Sequence, residues 1–184
     1  MTLDTLYERN SEPNWYEAEE EFTNCGSFAL NVIEWFAPYL IEGVNVDSIE
    51  DNYWEYEEEE RAKWIYDLID RGYSRIEVME ALIDRDFDFI LRSCPWLIPI
   101  EKSEISKNDR VIAYRLHMYW PENISNFFVD DDTDFHFRVQ INGEWWEKNG
   151  SGPVHKVGEL DEEPWEVNTT LVYDGPIRYA KFAN

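Results

Sequence analysis

Two stretches of this chain carry residue types that together do covalent chemistry: Asn24-Cys25-Gly26-Ser27 and, far downstream, Asp134-Phe135-His136-Phe137 with Glu147. Cys25 stands where helical periodicity begins. Unpaired N–H groups and the helix dipole at such a start favour an anion, which predicts a thiol more acidic than a free cysteine. The histidine sits in Phe135-His136-Phe137-Arg138-Val139-Gln140-Ile141, an alternating run followed by Asn142-Gly143 and Glu144-Trp145-Trp146. Asn-Gly between alternating segments is a strong hairpin signal. A two-residue turn there sets Ile141 against Glu144, Gln140 against Trp145, Arg138 against Glu147 and His136 against Asn149. His136, Arg138 and Gln140 then share a face with Trp145, Glu147 and Asn149. A histidine with a carboxylate on its diagonal and an amide across from it has what a base needs to fix its tautomer and orientation.

The elements that must position these groups follow from periodicity. Phe28, Val32, Trp35, Phe36 and Tyr39 recur every three or four residues, predicting a helix over 24–41 that Gly43 ends. A second helix is expected from Ser48 to Asp70, with Tyr53, Trp54, Ala62, Ile65, Leu68 and Ile69 along one side. Ser74 with Glu77 forms a capping box that opens a third, through about Arg92, with Ile76, Met79, Leu82, Ile83 and Phe87 as its stripe. Beyond Pro95 the chain reads as strands at 110–119, 134–141, 144–148, 167–173 and 177–182, with a surface loop over 120–133. The acidic stretch 1–22 reads as a loop with a helical turn. Helices first and an antiparallel sheet after them give an α+β fold, in one domain over 1–184.

The 184 residues carry a formal net charge of −24, from 40 acids and 16 bases, with 16 % aromatic residues. That aromatic content argues against a disordered acidic chain. The charge excludes a direct nucleic-acid groove and an anionic membrane as ligands. It is also uneven: residues 1–60 hold 17 acids and one base, Arg9, whereas 61–184 hold 23 acids and 15 bases. Two cysteines, no basic-plus-apolar leader and no apolar run of membrane-span length point to a cytoplasmic protein with free thiols. His117, His136 and His155 lack the spacing of a zinc set, and no cofactor is implied. Cys94, before Pro95, reads as an inert helix end. A cysteine near a helix start is also a common small core residue, so burial of Cys25 stands beside reactivity as an expectation.

Asn24-Cys25-Gly26-Ser27-Phe28-Ala29-Leu30 resembles the nucleophile helix of papain-like cysteine hydrolases, of which the compact NlpC/P60 and CHAP domains are the nearer analogy. Lys107-Asn108-Asp109-Arg110-Val111-Ile112 is similar to the strand entry before their histidine. The run Asp134-Phe135-His136-Phe137 … Gly143-Glu144-Trp145-Trp146-Glu147-Lys148-Asn149-Gly150 … Pro153-Val154 resembles a motif of uncharacterised bacterial and phage proteins, D-[YF]-H-[WF] … G-x-W-x-[HDE]-K-x-G … P-V. The likeness covers 23–41 and about 107–156, under half of the chain. It implies a papain-like NlpC/P60-type architecture and hydrolysis of an amide or ester. Cys25 would be the nucleophile, His136 the base, and Glu147 or Asn149 its orienter. The Cys25 amide and the Asn24 side chain would hold the oxyanion. Of Trp145 and Trp146, one is expected in the core and one over the site or a partner.

Charge supplies a second expectation. Asp47, Glu50, Asp51, Glu55, Glu57, Glu58, Glu59 and Glu60 would form an acidic face. Such a face can imitate the phosphate field of nucleic acid toward a basic nucleic-acid-handling protein, in the manner of antirestriction and anti-CRISPR proteins. This reading leaves Cys25 idle, on a catalytically inactive fold.

Overall fold

Ser74 does what its spacing to Glu77 predicts. Its side chain accepts from the Glu77 amide while the Glu77 carboxylate takes the Ser74 amide at 2.8 Å, and a helix starts at the next residue. A computed structural model describes residues 24–30, 52–127, 133–150, 152, 154–160, 162–167 and 171–183, with the side chains of 52–60 outside that description. The expected loop over 1–22, the helix beyond Leu30 and the start of the second helix before Asn52 lie outside the described residues.

Three helices are described: α1 (Cys25–Leu30), α2 (Asn52–Asp70) and α3 (Arg75–Ser93). Eight strands follow: β1 (Leu97–Ile100), β2 (Val111–Met118), β3 (Thr133–Ile141), β4 (Glu144–Lys148), β5 (Val154–Gly158), β6 (Trp165–Val167), β7 (Leu171–Tyr173) and β8 (Arg178–Phe182). The fold is α+β. Six strands make one antiparallel sheet in the order β1-β8-β2-β3-β4-β5, and β6 pairs with β7 in a separate ribbon.

Three expectations change. The strand foreseen over 167–173 is two, because Val167 pairs antiparallel with Leu171, which one continuous strand cannot do. β1 and β5 had no sequence signal. Pro99 masks β1, which lies at the sheet edge where a missing donor is tolerated. Ile76 is 60 % exposed, and Val78 takes its place in the α3 core stripe.

Alternation in β2 and β3 sorts the side chains into two layers. Ile112, Tyr114 and Leu116 with Phe137, Val139 and Ile141 face a core shared with Phe28, Ile65, Leu82 and Ile83 of the helices. Each such aliphatic or aromatic side chain contributes about 1.5–3 kcal/mol on burial. On the opposite face, Val111, Ala113 and Trp145 pack with Trp165, Val167 and Tyr173 of the β6–β7 ribbon and with Tyr179. The sheet is thus covered on both faces, by helices on one and by the ribbon on the other.

Candidate functional site

The Asn142-Gly143 turn has φ of 54° and 80°. Two consecutive positive φ values give the I′ turn that fits strand twist. The register is the one the sequence predicts: Ile141 pairs with Glu144, Gln140 with Trp145 and Arg138 with Glu147. That rung is the last. Asn149 lies past the end of β4, where its carbonyl accepts the Gly152 amide at 2.7 Å, so the expected His136–Asn149 pairing does not form.

Glu147 therefore holds the histidine. Its Oε2 lies 3.2 Å from His136 Nε2 and accepts from Arg138 Nε at 2.7 Å, while Oε1 lies 2.9 Å from His155 Nε2. Glu147 and His136 are both buried. Burial works to raise the Glu147 carboxyl, but the hydrogen bonds and charge of His136 and Arg138 outweigh it and hold the group down at about 2. The His136 ring lies 5.2 Å from the Tyr173 ring and 6.3 Å from that of Trp165, centroid to centroid. Arg138 lies over Trp165 at 4.4 Å. Tyr173 in turn donates its hydroxyl to Asp134 at 2.6 Å. Among the described residues no partner occupies His136 Nδ1.

Cys25 opens α1, and Asn24 caps it: Asn24 Oδ1 accepts from the Ser27 amide and hydroxyl, each at 2.9 Å. An oxyanion takes donors, so within the Asn24 side chain only the amide nitrogen is of the kind that role needs. Helix α1 packs on β3 and β4. Cys25 Sγ lies 3.9 Å from the carbonyl of Phe135, the residue before His136 and beyond the last rung that β4 pairs. The Phe137 amide addresses the same sulfur. The structure thus brings the thiol against the main chain of β3 at His136's two neighbours. The imidazole leaves the strand on the other face, and no hydrogen bond joins the two side chains.

The expected acidic thiol is not found. Cys25 is buried, and desolvation, reinforced by the charge of Asp134, outweighs the backbone donors and pushes it up to about 12. The helix dipole and the backbone donors at this start do not offset that loss of hydration. Cys94 is also buried and pushed up to about 12.

Trp145 is buried in the layer that holds Trp165 and Tyr173, and Trp146 packs half-buried on the helical side. The side chains of Glu55, Glu58 and Glu59 lie outside the described residues, as do those of Glu57 and Glu60; Asp47, Glu50 and Asp51 lie outside entirely. Sequence reasoning missed His155, Trp165 and Tyr173 as neighbours of the pair. Tyr173 falls within the strand foreseen over 167–173, but only the β4–β5 and β6–β7 pairings set these residues against the pair. No group of three or more His, Cys, Asp or Glu side chains suited to a metal ion occurs among the described residues, and none of the helices there is long and apolar enough to cross a membrane.

No protein-family model, no curated protein and no solved structure matches the chain.

Proposed function

We propose that the protein is a thiol hydrolase of the amidase or peptidase type, with Cys25 as nucleophile, His136 as base and Glu147 as its orienter, on a papain-like NlpC/P60-type architecture. The observation that carries this reading is the 3.2 Å contact between His136 Nε2 and a buried, arginine-held Glu147, which leaves Nδ1 as the ring's working nitrogen, with Cys25 across the strand at the main chain of Phe135. A nucleophile, a base and a group orienting the base are what such catalysis needs. Because thiol and imidazole lie on opposite faces of β3, catalysis requires α1 or this end of β3 to rearrange so that Sγ leaves the Phe135 carbonyl and meets His136 Nδ1. The thiol proton then passes to Nδ1, Sγ attacks the acyl carbon, and Nδ1–H protonates the departing amine or alcohol. Water activated by the same nitrogen cleaves the thioester and restores the thiol. Burial is compatible with this chemistry only as a resting state, because a thiol held near 12 is a poor nucleophile at neutral pH.

Alkylation of the native protein tests the assignment. Iodoacetamide is expected to label Cys25 at least tenfold faster than Cys94, and His136→Gln is expected to remove that difference. Equal, slow labelling of both thiols in the unmodified chain would sink the proposal.

A second reading is favoured by where the bases go. Arg61, Arg115, Arg138 and Lys148 are buried, against two buried carboxylates, Asp86 and Glu147, among the described residues. Withdrawing cations leaves a surface more strongly carboxylate than the composition implies, suited to fast association with a basic, nucleic-acid-handling protein. This reading expects binding that weakens steeply with salt and is displaced by duplex DNA. Binding indifferent to both would count against it.

A further inference from the structure

We propose that His155 is a positioning residue of this site, fixing the second oxygen of Glu147 and coupling solvent pH to the buried His136–Glu147 pair. The link to Cys25 rests on the hydrolase reading; the coupling between the two histidines does not.

His155 is the direct cross-strand partner of Glu147 in the β4–β5 ladder. Its Nε2 lies 2.9 Å from Glu147 Oε1, the oxygen that His136 and Arg138 leave open. Exposure separates the rings: the side chain of His155 is 48 % exposed and that of His136 3 %. One carboxylate therefore bridges a ring in water and a ring in the interior. The charged and titratable groups facing this bridge are Asp134, His136 and Arg138 from β3, Arg115 from β2 by way of the Trp165 ring, and Tyr173 from β7. Lys156, the next residue of β5, is paired with Glu144 instead.

Neutral His155 donates Nε2–H to Oε1 and keeps the carboxylate turned for His136. Protonated His155 adds a full positive charge to the same carboxylate. Glu147 then attracts the His136 proton less strongly, and Nδ1 becomes a weaker base. Mild acid lowers the reactivity of the site through a residue that touches neither nucleophile nor base.

The test uses the full chain with ¹⁵N-labelled histidine, in unmodified, His155→Gln and His155→Ala forms, followed by NMR from pH 8 to 4 alongside the rate of Cys25 alkylation. The His136 ring signals are expected to respond in two steps in the unmodified chain. In His155→Gln, which keeps an N–H donor and loses the charge, they respond in one step, moved up by roughly one pH unit, the size of a nearby charge acting across a partly exposed site, with the tautomer retained. In His155→Ala, which loses charge and donor alike, the single step also moves up and the fixed tautomer is lost, and the alkylation profile moves with the step in both variants. An identical His136 titration in all three chains overturns the inference while leaving the hydrolase assignment to the alkylation result. Coupled titration with Cys25 no faster than Cys94 keeps the inference and removes the hydrolase.

Discussion

His136 and Glu147 meet on a diagonal: their strands stop pairing at the Arg138–Glu147 rung, and the imidazole reaches back to that rung at 3.2 Å. Arg138, directly opposite Glu147, binds the same oxygen at 2.7 Å. The carboxylate is thereby a structural group and the candidate orienter at once, and its removal is expected to register in both roles.

Glu147→Ala is expected to destabilise the protein by about 3–5 kcal/mol, because Arg138 would stay buried without its counter-ion. Glu147→Gln keeps an acceptor and is expected to cost less. The pH dependence has a definite sign. The carboxyl is held at about 2 in the folded chain against an ordinary 4.5, so its contribution is complete above the unfolded value and is lost as pH falls from about 4.5 to 2. The loss is on the order of 3 kcal/mol. Urea unfolding midpoints over that range check it, and a slope unchanged in Glu147→Gln would refute the assignment to this residue.

Gly143→Ala tests the turn that sets the register. Gly143 has φ of 80°, and an added Cβ would stand 3.3 Å from Lys107 Cβ. Left-handed backbone costs a residue with a Cβ roughly 1–2 kcal/mol, and the Lys107 contact adds to that. The expected outcome is a stability loss of at least about 1–2 kcal/mol, read by thermal or urea unfolding. Unchanged stability would mean that the hairpin tolerates another turn.

A second buried charge cluster ties α2 and α3 to the sheet. Asp86 accepts from the Tyr114 hydroxyl at 2.9 Å and lies 3.6 Å from Arg61 Nη2. Asp86→Leu is expected to cost about 3–5 kcal/mol because the buried Arg61 loses this carboxylate, and Tyr114→Phe about 1–3 kcal/mol. The double variant should fall short of the sum, because both changes act on one network. Strict additivity in urea titrations would show the contacts to be independent.

The α3 stripe gives a contrast within one helix. Leu82→Ala is expected to cost about 2–5 kcal/mol, as cavities in packed cores do, and Ile76→Ala at most about 0.5 kcal/mol, as exposed substitutions do. Comparable losses at both positions would contradict the burial of this face.

Periodicity and turn chemistry made much of this legible in advance. The Ser74 cap, the Asn142-Gly143 turn and the Arg138–Glu147 rung all rest on interactions within a few residues of chain or across one tight hairpin. Local geometry suffices there. The Ile76 position was misread because α3 meets the sheet along a line that the three- and four-residue spacing does not fix by itself; Val78 serves that spacing as well.

Spacing and composition dictate the α+β order, the placing of His136 and Glu147 on one face of a hairpin, and the concentration of acids in the first third of the chain. Tertiary structure alone decided the rest. It set Cys25 against the Phe135 carbonyl, away from the imidazole, and desolvated its thiol. It brought Tyr173 beside His136 and His155 onto Glu147. The reason is physical: spacing and turn type fix which side chains share a strand face, but hydration and long-range neighbours depend on what covers that face. For His136 the cover is the β6–β7 ribbon, which the sequence offers as one strand and only its pairing reveals as two.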